Sequence, residues 1–453
     1  MALIPIPRAA MTTPMRVGLA AFLSFFLLAA VDAHAQCTAG SATLGAGDIY
    51  VYPEAAESPP STTHCSFTGA MNQAITGTVD RGCAADQQCY GGGATSWTEI
   101  DIPPCDTITL TTQAFLVSEP SGESGMNIAV AYEGDQGCNN GQGISADPYR
   151  FQINGSDSGG GVPLFEVEYG AVLQFVDGAI TNFARPVFAV GQTSGTGELD
   201  LEGAEVYGIQ GQQYLASAVI SNWGVNANVN IYSSYFHDNT NTSKGGALFN
   251  KGTASVSYTA MYNNAAVEFG GAISNSGNLT VSFCTLYMNT QSGTDNAGIG
   301  GGAIYNDNGG TANITWSTIL ANTADASSSG NPAGGIGALS GNVSLKYSIL
   351  SKNKLANGHL VDCSGTPFIH SQGFNLLDTC GIAHTTGDIA ANVALGVWYP
   401  DSYNNDWTQY IYPSRTTPVS PAIDAVPGSD PSCNALFGGA VCNIGEYQPG
   451  QPY

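Results

Sequence analysis

Basic residues are scarce in this chain. It carries 11 Lys and Arg against 35 Asp and Glu, a formal net charge of −24, and charged residues of both signs make up only 10%. That balance repels phosphate backbones and anionic lipid, so nucleic-acid binding is disfavoured, and a strongly anionic polysaccharide would need a bridging cation. Long apolar runs are scarce too. After residue 30 no stretch is long enough to cross a bilayer, so no transmembrane segment is expected in the mature chain, and the end, Tyr447-Gln448-Pro449-Gly450-Gln451-Pro452-Tyr453, offers no anchor. Paired Cys-x-x-Cys motifs are missing, which argues against zinc. There is no adjacent Asp pair, no Gly-His-Gly and no regular Gly-Gly-x-Gly-x-Asp array.

The N-terminus holds the one long apolar segment. Arg8 and Arg16 precede the uncharged run Val17 to Ala30, and Ala33-His34-Ala35 then offers a small-x-small cleavage site. Residues 1–35 are expected to be an export signal, because the run is short for a membrane span. Gln36 before Cys37 disfavours a lipoprotein. Eleven cysteines fit an oxidising compartment. Six lie early, at Cys37, Cys65, Cys83, Cys89, Cys105 and Cys138. Sequence does not fix their pairing, but the late four suggest local bridges, Cys363 with Cys380 and Cys433 with Cys442. Cys284 stands alone and is expected to be a buried thiol outside any disulfide.

The centre of the chain repeats itself. Five segments align on Asn239, Asn264, Asn289, Asn322 and Asn353, at intervals of 25, 25, 33 and 31 residues. Three residues before each asparagine lies an apolar side chain: Phe236, Met261, Leu286, Ile319 and Leu350. Upstream run alternating stretches such as Leu279-Thr280-Val281-Ser282-Phe283, the period of a strand with one buried face. Between segments sits Gly245-Gly246-Ala247-Leu248-Phe249-Asn250, echoed at Gly270 to Asn275, Gly301 to Asn306 and, degenerately, Ile336 to Ser340. The glycines supply turns and the following pair a further short strand.

Units this short, with tight turns and no room for a crossover helix, bury their apolar positions only by stacking. Stacked coils place like residues about 4.8 Å apart. The asparagines would then form a ladder that satisfies buried polar groups along the axis. A β-propeller needs longer blades, and a β-sandwich has no use for a phase-locked asparagine. The expected fold is all-β, a right-handed parallel β-helix over residues 106–360. An N-terminal cap region at 36–105 would include a short helix whose face carries Phe67, Met71, Ala74 and Ile75, with Ser66 as cap. A loop-rich, disulfide-pinned cap would fill 361–453.

These motifs resemble a known bacterial group. The Gly-Gly-Ala-Ile and apolar-x-x-Asn repeats look like polymorphic outer-membrane protein repeats. Asp362-Cys363-Ser364-Gly365, Ser371 to Leu377, Ser420-Pro421-Ala422-Ile423-Asp424-Ala425 and Cys442 to Tyr447 resemble the "choice-of-anchor" class of exported β-helix proteins. Cys65 to Ile75 is similar to the short N-terminal helix of that class, although Thr68-Gly69 replaces its charged pair. The resemblance covers about residues 60–447. It implies a right-handed parallel β-helix placed outside the cell or on its outer surface, and it carries no catalytic residues across.

Searched for chemistry, the chain offers little. The carboxylates look scattered, whereas a glycoside hydrolase needs two at a set separation. His237-Asp238 is the one adjacent His-Asp pair and reads as a polar turn beside the ladder. A polysaccharide lyase needs a basic residue near a neutralised carboxylate. Lys244, Lys251, Lys346, Lys352 and Lys354 occupy different repeat positions and are not expected to converge. Tyr258, Phe283, Trp316 and Tyr347 form a column six residues before the ladder, and their parity with Val256, Val281, Ile314 and Leu345 points them inward. A bend there would turn them outward as a platform for sugar rings. The column two before the asparagine should point outward, which makes His237, Tyr262 and Tyr287 the candidate ligand contacts. Calcium has no support beyond the turn Asp307-Asn308-Gly309-Gly310, so no cofactor or metal is expected. Three functions remain: a non-catalytic exported protein that binds polysaccharide or cell-surface glycan along its flank, a lyase or hydrolase on the same scaffold, and a structural surface-layer component.

Overall fold

A computed structural model of the chain describes residues 49–51, 65–76, 98–102, 107–111, 113–118, 126–132, 151–155, 162–211, 219–293, 300–325, 332–391, 395–400, 409–413, 420–433 and 442–444. The expected export signal and Cys37, Cys83, Cys89, Cys105 and Cys138 lie outside the described residues. Among the described residues the strands form four parallel sheets of 11, ten, nine and six strands, and one antiparallel pair. One coil shows the path. The chain runs through Asn228–Tyr232 in the 11-stranded sheet, Tyr235–His237 in the ten-stranded, Thr240–Asn241 in the six-stranded and Leu248–Asn250 in the nine-stranded. It then re-enters the first sheet as Thr253–Ser257, in register with Asn228–Tyr232. The coils from Gln210 onward repeat this circuit and the described strands before it lie in the other three sheets, so the fold is a parallel β-helix.

The stack is longer at both ends than residues 106–360. Thr98–Ile102 pairs with Ile49–Tyr50 on one side and Asn127–Tyr132 on the other, and the last rungs are Ile369–Ser371 and Leu376–Leu377. Both end coils lack the asparagine that marks the repeat, so their period is invisible to alignment. The helix Phe67–Thr76 is capped by Ser66, whose Oγ accepts from the Gly69 amide at 3.0 Å. It lies against Phe115–Ser118, the terminal strand of the nine-stranded sheet. Phe67 meets Phe115 edge-on at 5.6 Å, so the helix both covers an open sheet edge and extends the core.

The interior alternates as the strands demand. Ile231, Val256, Val281, Ile314 and Leu345 form one buried column, and Phe236, Met261, Leu286, Ile319 and Leu350 another. Single residues at positive φ turn the chain between sheets. Tyr258, Phe283, Trp316 and Tyr347 (φ 51–54°) make the corner from the 11-stranded to the ten-stranded sheet, and Asn263, Met288, Ala321 and Lys352 (φ 52–56°) make the next. Just past the second corner stands the asparagine column. Asn239, Asn264, Asn289 and Asn322 each donate from Nδ2 to Oδ1 of the next asparagine at 2.9–3.0 Å. The same Oδ1 atoms accept backbone amides. The column ends on Asp362, whose Oδ1 accepts from the Asn353 side chain at 2.7 Å.

A second column, Asn222, Asn250, Asn275 and Asn306, bonds in the same way at 2.6–2.8 Å. Three of its members are the closing residues of the Gly-Gly-Ala motif. Gly271 is required for contact: a Cβ there would fall on the carbonyl oxygen of Gly302 in the next coil. Cys284 is a buried thiol at a position where Ser234, Thr259, Ser317 and Ser348 bear hydroxyls, and its Sγ donates to the Ser282 carbonyl. The two late disulfides join Cys363 to Cys380 and Cys433 to Cys442, pinning the C-terminal cover. Among the described residues no helix is long and apolar enough to cross a membrane.

Candidate functional site

The expected contact residues share one column on the outer face of the ten-stranded sheet, since His237 is in register with Tyr262 and Tyr262 with Tyr287. All three are half-buried and lie outside the main core. Their rings stack. His237 lies parallel to Tyr207 (5.0 Å, 2°) and to Tyr262 (4.7 Å, 4°). Both faces of the His237 ring are therefore covered by its neighbours, and it turns its edge outward. A sugar needs an open face to stack on, so the His237 ring is no platform.

His237 is clamped as well as stacked. Its Nε2 lies 3.0 Å from Glu205 Oε1 and its Nδ1 2.8 Å from Asp238 Oδ2. Burial alone would lower its pKa, but the hydrogen bonds and charges of Glu205 and Asp238 outweigh burial and raise it. A histidine ring held by two carboxylates and two neighbouring rings is fixed in place.

The bend column corrects the parity expectation. Tyr258, Phe283, Trp316 and Tyr347 do not enter the main core, because each occupies the positive-φ corner that rotates its side chain off the strand alternation. They stack along the outside, with Tyr258 on Phe283 at 4.9 Å and Trp316 on Tyr347 at 3.9 Å. Ala422, Val426, Cys433, Cys442 and Ile444 pack over the lower members together with Leu320, Ile349 and Leu376. Tyr347 adds a hydrogen bond to Asp430 at 2.6 Å. These aromatics seat the C-terminal cover.

The outer face of the 11-stranded sheet escaped the sequence reading. Five successive strands present two uncharged columns: Asn228, Thr253, Asn278, Thr311, Asn342, and Asn230, Ser255, Thr280, Asn313, Ser344. All ten are exposed or half-buried. The strands lie roughly 4.8 Å apart and the columns about 6.7 Å apart, which makes a flat lattice of donors and acceptors. At its upper margin the carboxylates are less scattered than they look in sequence. Asn230 Nδ2 donates both to Glu198 Oε1 (3.2 Å) and to Asp200 Oδ1 (2.8 Å). Burial raises both pKa values, and the charge of Asp200 adds to the rise at Glu198. The cause is the strand itself, which puts residues two apart on one face.

The lysines also depart from expectation. Lys244 and Lys251 both bring Nζ to 5.9 Å from the Phe249 ring centroid, one from each end of its strand. Among the described residues no group of three or more His, Cys, Asp or Glu side chains could hold a metal ion. No protein family, no curated protein and no solved structure matches the chain.

Proposed function

We propose that the chain is an exported, non-catalytic β-helix that binds glycan across the polar face of its 11-stranded sheet. One observation carries this reading: ten uncharged hydrogen-bonding side chains arrayed in register over five strands, in a chain of net charge −24. Sugars offer paired donors and acceptors at every hydroxyl, and Asn, Ser and Thr answer both roles without a charge to desolvate. The aromatic flank serves to hold the C-terminal cover. Thr280→Glu and Asn313→Glu place charge in the middle of the lattice without touching the core. Affinity electrophoresis against a polysaccharide panel should show retardation that both variants lose by about tenfold or more, a loss of about 1.4 kcal/mol. Unchanged retardation in both would sink the reading.

A second reading rests on Glu198 and Asp200. The shared Asn230 donor keeps their nearest oxygens no farther apart than two hydrogen bonds laid end to end, and two such carboxyls are what a glycoside hydrolase requires. Reducing ends released from the same panel by the wild type, and lost in Glu198→Gln and Asp200→Asn, would replace binding with hydrolysis.

A further inference from the structure

Lys244 and Lys251 bracket the strand Leu248–Asn250 of the nine-stranded sheet. Leu248 points into the main core, so Phe249 between its neighbours faces out. Lys244 Nζ lies 5.1 Å from the Phe269 ring as well as 5.9 Å from Phe249. Lys251 Nζ lies 4.6 Å from the Trp223 ring and 5.9 Å from Phe249. Trp223 meets Phe249 at 4.9 Å. The two ammonium groups thus stand over one aromatic floor, separated by at most twice their distance to its centre.

Neither lysine pairs with a carboxylate among the described residues. Glu268, next to Phe269 in the following coil, takes a hydrogen bond from Ser243. An aromatic ring positions a cation through its quadrupole but carries no net charge. Both charges therefore stay uncompensated in a chain that is otherwise strongly acidic. Lys251 is exposed and Lys244 half-buried. Only Gly252 separates Lys251 from Thr253, the outward residue that opens the polar lattice. That corner is tight, because a Cβ on Gly252 would fall on the carbonyl oxygens of Gly224 and Ala227. The cationic spot and the lattice thus meet at one edge of the helix.

We infer that Lys244 and Lys251 form a subsite for an oxyanion, a carboxylate or a sulfate, carried singly on a glycan that lies along the polar face. This inference rests on the glycan-binding reading and names the chemical class of its ligand. Two fixed cations match an isolated anionic group, whereas a polyanion would meet the repulsion of the whole chain.

The test is an array of oligosaccharides in matched pairs that differ by one uronate carboxylate or by one sulfate. It is probed with the full chain and with two double variants, K244Q/K251Q and K244R/K251R, after thermal melts confirm that each folds. The acidic member of a pair should bind about fivefold or more tighter than its neutral partner, less so as salt rises. The glutamine variant should lose that difference and keep neutral binding, and the arginine variant should keep both. The carboxylate and sulfate arms show which oxyanion is preferred. Equal binding of acidic and neutral members, or a difference that survives in K244Q/K251Q, overturns the subsite and leaves the glycan reading standing. An array with no bound glycan overturns both.

Discussion

The coils before residue 210 and those after it share three of the four parallel sheets but fill their interiors differently. In the upper coils the core is aromatic: Phe115 stacks on Phe165 at 5.6 Å, Phe165 on Phe188 at 5.5 Å, and Phe151 meets Phe175 at 5.3 Å. The column that becomes the ladder below holds Phe183 and Ile209 there, as the backbone bonds from Gln210 to Phe183 and from Thr240 to Ile209 show. From Asn239 onward the same column is asparagine in five successive coils, and the core column beside it passes from Phe236 to Met261, Leu286, Ile319 and Leu350. A phenylalanine needs only contact and volume, which several residue types supply. A ladder asparagine must accept two bonds and donate two in fixed directions, and no other side chain does so in that space.

The sharpest way to break this contrast is a leucine substitution in each half. Asn289→Leu removes the acceptor of the Asn264 backbone amide, one of the two acceptors of the Asn264 Nδ2 and the side-chain donor to the Met261 carbonyl, and should cost about 3–5 kcal/mol in urea unfolding. Phe188→Leu keeps an apolar core residue and should cost less than about 1.5 kcal/mol. Equal losses would mean that the ladder is packing and not hydrogen bonding.

A smaller effect is expected where the halves join. His237 sits between Tyr207 of the upper coils and Tyr262 of the lower. Its pKa is raised in the folded state, so the stability it contributes is full below its unfolded value of about 6.5. That contribution is lost as pH rises through the folded value. Melting curves of the wild type should therefore fall with pH above about 6.5 more steeply than those of His237→Gln. Parallel curves would show that Glu205 and Asp238 do not favour the charged ring.

The smallest effect concerns the corner before the ladder. The upper coils place Asn182 and Gly208 at positive φ, residues that tolerate it, whereas three lower coils place Met288, Ala321 and Lys352 there. Met288 is 49% exposed, so little packing is lost by changing it. Met288→Asn should raise stability by up to about 1 kcal/mol, and Asn182→Ala should lower it by a similar amount. A destabilised Met288→Asn would show that the methionine makes contacts worth more than its strain.

The sequence by itself determined the stacked parallel fold, the cap of the helix at Ser66, the burial of Cys284 and the two late disulfides. Each of these follows from a local rule: alternation, a side-chain acceptor before a helix, or cysteines close in sequence. It also placed His237, Tyr262 and Tyr287 on an outer column, because parity holds within a strand. Only the tertiary structure decided what lies across coils. Parity failed at Tyr258, Phe283, Trp316 and Tyr347 because one residue at positive φ resets the alternation, and that choice is made by the closing of the whole coil. The pairing of Lys244 with Lys251 over Phe249, the sharing of Asn230 by Glu198 and Asp200, and the ten-residue polar lattice each join side chains that sequence spacing does not mark as partners. Residues two or seven apart, or a coil apart, become neighbours only when strands are laid in register and corners turned, and that register is set by the packed core.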